Sequence, residues 1–401
     1  MFESILFRQQ NRFDSLNPLD LNAFFEALLF YQSVLLVADK SIMQQLFRQC
    51  GYEFVTALVE NGFLKIQYLN NIPAIYTANS GSALEIHNAV HINSPVLDFD
   101  NVIRDLFRNA TGKSGLGRRL AARFEKNVNV IEHDQNLIDE VIFDYSDTTY
   151  VENSVKEILK YYTPEYPNID TLNFKVEKNM EGLHIETNID FGSLNKIYNS
   201  KISEKHSTMS GAYLLSHIFN VRSDIYFSAF FESEIATNGL NSNIMKFKYL
   251  DTLERRNISD MTIKGFQDFV LNETVNIYGL IQNGEKTPME FLKLLEGANK
   301  FKDWLKDKDV ESNLIKEYYQ ASISENWIDK MPGKPIRWSI FSGLGIAADL
   351  SGAAGLGTIL GVGINATDTF LFDKLFKGWK PNHFVTELNN FSTGDTGKSV
   401  A

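Results

Sequence analysis

The sequence predicts an α+β fold that is mostly helical: an N-terminal α/β domain, a central run of helices carrying one β-hairpin, and a C-terminal apolar helical hairpin rich in glycine and alanine. Three observations lead there. Apolar residues recur every three or four positions over most of 99–165 and 194–330, the period of helices that bury one face. Residues 171–191 switch to alternation, the period of a half-buried strand. The first 98 residues mix the two patterns.

Asn17-Pro18-Leu19-Asp20 opens a helix whose apolar face continues from Leu21 to Tyr31. Ser33–Ala38 is a short, mostly aliphatic run and reads as a buried strand. Asp39 or Ser41 caps a helix over Ile42–Gln49, which Gly51 ends, and a second helix covers Phe54–Glu60 with Gly62 as its stop. Phe63–Leu69, Ala74–Thr77 and Ala83–Ile92 read as strands, the last one following the turn-forming Asn79-Ser80-Gly81-Ser82.

Helical stripes follow at Val102, Ile103, Leu106 and Phe107, then Leu116, Leu120 and Phe124. Leu137, Ile138, Val141 and Ile142 make a third, and Val151, Val155, Ile158 and Leu159 a fourth. Leu172, Phe174 and Val176, then Leu183, Ile185 and Thr187, alternate on either side of a turn at Asn179–Gly182 and make the hairpin. Tyr213–Thr237 is long and apolar enough for a buried central helix, with Arg222-Ser223-Asp224 as the place where it would break. Thr287-Pro288-Met289-Glu290 supplies a cap, a proline at the first helical position and a reciprocating glutamate. The helix it starts buries Phe291, Leu294, Leu295, Ala298, Phe301 and Leu305, and Pro332-Gly333-Lys334-Pro335 is a linker. The expected domains are 1–98, 99–330, 331–387 and a flexible tail, 388–401.

Composition narrows the function. A net charge of −11 with a pI of about 5.2 disfavours a broad nucleic-acid-binding face and leaves room for a local one. A single cysteine, Cys50, excludes an internal disulfide or a Cys-rich zinc module. No basic, apolar leader follows Met1. These features predict a cytoplasmic protein, membrane-associated if its C-terminal segment acts there.

No catalytic motif is found, and no cofactor or metal is expected. Gly112-Lys113-Ser114 and Gly397-Lys398-Ser399 lack the glycine five residues upstream that a phosphate loop needs, since Phe107 and Ser392 stand there. His87 and His91 share a helical spacing but sit in a strand-like run, where residues four apart are about 13 Å from one another. Asp139, Glu140, Asp144 and Asp147, with His133 and Asp134, could gather around metal ions, or form a solvated helix face. His217 reads as a hydrogen-bonded core histidine and Cys50 as structural. Arg104, Arg108, Lys113, Arg118, Arg119 and Arg123 make the chain locally basic, a candidate anion site for nucleotide, nucleic acid or phospholipid headgroups, or a solvated face paired with acidic neighbours.

The sharpest departure from ordinary composition is Trp338–Trp379. Asp349 is the one charged residue between Ser339 and Thr367, and seven of the 25 glycines fall within Gly343–Gly363. Lys330, Lys334 and Arg337 precede the run; Lys374, Lys377 and Lys380 follow it. Basic residues at both ends favour the same, cytosolic side of a bilayer. Trp338 and Trp379 would lie at that interface, Gly343 lies in the first arm, Asp349 takes the bend, and Gly357 with Gly361 allows close helix approach. Phe370 and Phe372, next to lysines, form an interfacial end. The competing readings are a small-residue hairpin packed inside a soluble fold and a ligand-binding glycine loop. The expected function is a non-enzymatic interaction or effector protein, toxin-like or defensive in layout, acting on the inner face of a membrane and meeting another protein or forming an oligomer. The alternative is a soluble nucleic-acid- or nucleotide-binding protein using the basic cluster.

Overall fold

The computed structural model describes residues 3–9, 16–79, 85–132, 135–201, 208–248, 267, 276–306 and 381–393. In chain order these form β1 (Ser4–Phe7), α1 (Leu21–Phe30), β2 (Ser33–Ala38), α2 (Lys40–Cys50), α3 (Tyr52–Glu60), β3 (Leu64–Leu69), β4 (Asn71–Asn79) and β5 (Glu85–Asn93). Next come α4 (Phe99–Thr111), α5 (Ser114–Phe124), β6 (Val128–Ile131), α6 (Gln135–Tyr145), α7 (Thr148–Tyr162), β7 (Phe174–Lys178), β8 (Leu183–Thr187) and α8 (Phe191–Lys201). Then follow α9 (Gly211–Phe230), β9 (Glu234–Ile235), α10 (239–248), α11 (Ile277–Gln282), α12 (Pro288–Gly297), α13 (Asn299–Lys306) and α14 (Pro381–Thr393). The protein is a mostly helical α+β fold with one parallel and one antiparallel sheet.

Residues 4–20 and 33–253 make one compact unit; 1–3, 21–32 and 254–401 make the other. The first unit is built on a five-stranded parallel sheet in the order β6-β3-β2-β1-β9. β2 is buried at every residue, which is why it reads as an unbroken aliphatic run rather than an alternating one. β1, β6 and β9 are four, four and two residues long, too short for a periodicity to register, and all three escape the sequence reading. The chain steps outward from β1 through β2 and β3 to β6, then returns to place β9 on the opposite side of β1. Strand order therefore reverses at β1.

The antiparallel sheet has the order β4-β5-β8-β7. Its β7–β8 pair is the hairpin expected at 171–191, with Phe174 opposite Thr187 and Val176 opposite Ile185. Pro73 falls in β4, an edge strand of this sheet, where proline is best tolerated. Both sheets draw strands from either side of residue 98.

Local signals fix most helix ends. Asp39 caps α2 by accepting from the Ile42 amide at 2.9 Å, and Gly51 ends it at φ 82°. Asp98 caps α4 and Asp147 caps α7. The helix expected over Tyr213–Thr237 differs in two ways. It does not break at Arg222-Ser223-Asp224 but runs unbroken as α9, because the Ser223 hydroxyl donates to the Phe219 carbonyl one turn back at 2.9 Å and the two flanking charges have partners elsewhere. It also stops at Phe230, and the chain beyond it forms β9. Around α9 lies the larger core of this unit, with Leu214, Ile218, Tyr145, Val155 and Leu159 all nearly solvent-free.

In the second unit, Thr287 and Glu290 make the reciprocal capping box, with Pro288 at the first position. Phe291, Leu294, Leu295, Ala298, Phe301 and Leu305 are all buried, on two helices rather than one, since the helical run divides at Ala298. Phe25 of α1 packs on Phe291 at 5.0 Å, and Phe301 of α13 stacks on Phe384 of α14 at 4.7 Å. α14 runs to Thr393 with Leu388 fully buried, so the first residues of the stretch read as a tail are helical and packed. The linker at 332–335 and the apolar segment, with Trp338, Gly343, Asp349, Gly357, Gly361, Phe370, Phe372 and Trp379, lie outside the described residues.

The α4–α5 corner provides a test of packing. Gly117 is buried, and a Cβ built there would stand 2.9 Å from the Arg108 Cα and backbone nitrogen. Alanine is favoured over glycine in a helix by about 1 kcal/mol, whereas overpacking against backbone costs about 1–3 kcal/mol. Gly117→Ala should therefore lower the thermal midpoint despite its better helix propensity. A raised midpoint would show that the two helices part freely.

Candidate functional site

The parallel sheet gathers polar residues along its carboxyl edge. Arg8 follows β1, Asp39 follows β2, Asn70 follows β3 and Glu132 follows β6. The strands leading to them are largely apolar, so the same backbone that builds the core delivers these groups to one edge. Thr237, two residues past β9, is 3% exposed, and its hydroxyl meets no hydrogen-bond partner among the described residues.

Arg8 is the centre of this edge. It is 6% exposed. Its Nη1 donates to Asp224 Oδ1 at 3.0 Å and to the Asn220 carbonyl at 3.4 Å. The guanidinium also lies over the Phe227 ring at 5.6 Å. Asp224 is itself 4% exposed and accepts from Asn241 Nδ2 at 3.0 Å. Burial pushes the Asp224 carboxyl up to about 6, against the downward pull of Arg8 and Asn241. At neutral pH the pair is therefore a buried cation beside a buried anion. Nothing in the sequence reading pointed to it, since its members are 216 residues apart.

Two small clefts open along the same edge. One is lined by Arg8, Asp39, Ile42, Asn71, Ile72 and Asn220, among others. The other lies over the ends of β3 and β6, between Asn70, Asp98 and Glu132. In sheets of this kind the loops diverge where strand order reverses, and ligands occupy the crevice that results.

The basic cluster predicted from sequence is divided by the structure. Arg104 pairs with Asp100 at 3.3 Å and Glu125 at 3.8 Å, Arg108 with Asp105 at 2.9 Å, and Arg123 with Glu60 at 2.5 Å. Lys113, Arg118 and Arg119 are exposed and have no carboxylate at ion-pair distance among the described residues. Gly112 ends α4 in the left-handed conformation at φ 62°, and Ser114 begins α5. This Gly-Lys-Ser is thus a helix–helix corner rather than a strand-to-helix phosphate loop.

The acidic stretch is used for structure. Asp144 is solvent-free and holds both Arg222, whose Nε donates at 2.6 Å, and Lys248 at 2.5 Å. Glu140 takes the other side of Arg222 at 2.9 Å. Lys248 also sits over the Phe143 and Tyr150 rings. His133 and Asp134 lie outside the described residues. His87 and His91 are in β5; buried His87 shares a hydrogen bond with the Thr77 hydroxyl at 2.9 Å, and burial lowers its pKa. His217 packs between Tyr162 and Tyr213. Cys50 is buried, which raises its thiol to about 12; at that value a negligible fraction is thiolate. No group of three or more His, Cys, Asp or Glu among the described residues could hold a metal ion, and no helix among them is long and apolar enough to cross a membrane.

No family model, curated protein or solved structure matches the chain.

Proposed function

We propose that the protein is a non-enzymatic interaction or effector protein whose 338–379 segment acts on the inner face of a membrane, in the manner of a toxin-like or defence effector. The observation that carries this reading is the stack of Phe301 on Phe384 at 4.7 Å. It sets the described residues that flank positions 307–380 beside each other, an arrangement that suits a segment entering and leaving a surface on one side. The composition supports the same reading: bases and a tryptophan stand at each end of an apolar, glycine-rich run, a pattern that favours both ends on the cytosolic side of a bilayer. Truncation before the segment would also remove Phe384 and Leu388, both buried, so the informative variants keep the chain whole.

A second reading rests on a different observation. Lys113, Arg118 and Arg119 stay exposed and unmatched by carboxylates among the described residues, while their three neighbours are neutralised. Such a face suits a polyanion, and nucleic acid is the partner it implies.

One set of variants separates the two. Each basic residue near an anionic surface contributes about 1 kcal/mol, so reversing Lys334, Arg337, Lys374 and Lys377 to glutamate should weaken binding to phosphatidylserine vesicles by roughly a hundredfold or more, and abolish dye release. Reversing Lys113, Arg118 and Arg119 should leave vesicle binding intact. Vesicle binding lost only with the second set, together with salt-dependent nucleic-acid binding, would favour the polyanion reading. Full-length protein that neither binds nor permeabilises vesicles would reject the first.

A further inference from the structure

We propose that β4 is a self-association edge, along which two copies of the chain pair antiparallel over Ala74–Ala78, about a two-fold axis at Tyr76, and join their four-stranded sheets into one of eight. The two edges of the antiparallel sheet differ. β7 is five residues long and carries Lys175, Glu177 and Lys178, the kind of charged side chain that keeps a free edge from recruiting another strand. β4 is nine residues long and carries no charge; indeed no charged residue occurs between Lys65 and Glu85. β5 bonds one side of β4, and no strand among the described residues bonds the other. Pro73 does protect this edge, but it stands near the start of the strand and blocks pairing only there.

The side chains of β4 divide by face. Ile75 packs against the larger core, and Thr77 shares a hydrogen bond with buried His87. Ile72, Ala74 and Tyr76 therefore point the other way, opposite Ile92, Val90 and Asn88 of β5. Tyr76 is 59% exposed and Ile92 46%. Charge then selects the occupant. A two-fold contact sets a strand against its own sequence, so any charge near the axis would meet its own sign. In a chain of net charge −11, a strand without charge can meet itself free of that penalty. A partner of different sequence chosen by charge would find nothing on β4 to recognise. The axis stands perpendicular to the sheet, so outward residues meet outward residues: Tyr76 faces Tyr76 and Ala74 faces Ala78, with Pro73 just beyond the ladder. Five paired residues a side make a contact smaller than that of a permanent dimer, so the association is reversible and depends on concentration.

The test uses the full chain in sedimentation velocity from about 1 μM to about 1 mM, over which monomer should give way to dimer. Tyr76→Lys sets two like charges face to face and should weaken dimerisation roughly tenfold or more. The melting temperature of dilute protein should not change, because the Tyr76 side chain is exposed. Tyr76→Cys should form a disulfide-linked dimer on mild oxidation, since opposed antiparallel residues stand about 4.5–5.5 Å apart, within reach of a disulfide. Phe143→Cys, on α6 and also exposed, should cross-link far more slowly. A chain that stays monomeric to about 1 mM, a dimer indifferent to Tyr76→Lys, or equal cross-linking at the two cysteines would each overturn the proposal. So would a strand of another protein bound at β4 while the chain itself stays monomeric.

Discussion

Arg8 and Asp224 hold the first strand of the protein to its longest described helix. Burying two charges is costly, and the cost is recovered only when geometry and hydrogen bonding are both good. Here they are: the carboxylate takes Arg8 on one oxygen and Asn241 on the other, and the guanidinium adds the Asn220 carbonyl and the face of Phe227. The pair fixes α9 across the carboxyl end of β1, and Phe227 of that helix joins Leu6, Leu35, Val37 and Leu69 in a small core on the sheet. β1 is only four residues long, with β9 pairing two of them. Without a specific anchor, so short a strand would have little to fix its register, and the register sets where the polar edge of the sheet lies.

The remaining charges obey the same economy of position. In a chain of net charge −11, most described arginines already have carboxylate partners, either buried, as Arg222 is by Asp144 and Glu140, or exposed, as Arg104, Arg108 and Arg123 are. The exposed pairs add little stability, about 0–1 kcal/mol each. Their consequence is electrostatic: they reduce a cluster of six basic residues to a smaller field around Lys113, Arg118 and Arg119. In the second unit the organising interaction is aromatic, with α14 returned onto α12 and α13 through Phe384 and Phe391.

How much of this was legible depended on the range of the signal. Local signals were readable: the Asp39 cap, the Gly51 stop and the Thr287–Glu290 box place their determinants within a few residues, and the β7–β8 hairpin shows its alternation on either side of one short turn. The β2 strand was readable because both its faces are buried. β1, β6 and β9 were not, since two to four residues carry no period, and neither was the parallel order, which is set by pairings between distant segments. Arg222-Ser223-Asp224 misled for a physical reason. Three polar residues in an apolar helix look like an interruption, yet Ser223 bonds back within the helix while Arg222 and Asp224 find opposite charges 78 and 216 residues away. The basic cluster was visible as composition, but which of its members are neutralised depends on Glu60 and on helix geometry. The carboxyl-edge crevice had no local signature at all.

If the Arg8–Asp224 pair anchors β1, a double-mutant cycle reveals it most directly. Stability of the sheet would be read from amide exchange at Leu35, Leu36 and Val37. Arg8→Met and Asp224→Leu alone should each accelerate exchange by the equivalent of about 3–5 kcal/mol, because each leaves an unmatched buried charge, while the double variant should return to within about 1 kcal/mol of the parent. Single effects that simply add in the double variant would show that the two charges do not act as a pair, and would contradict the account.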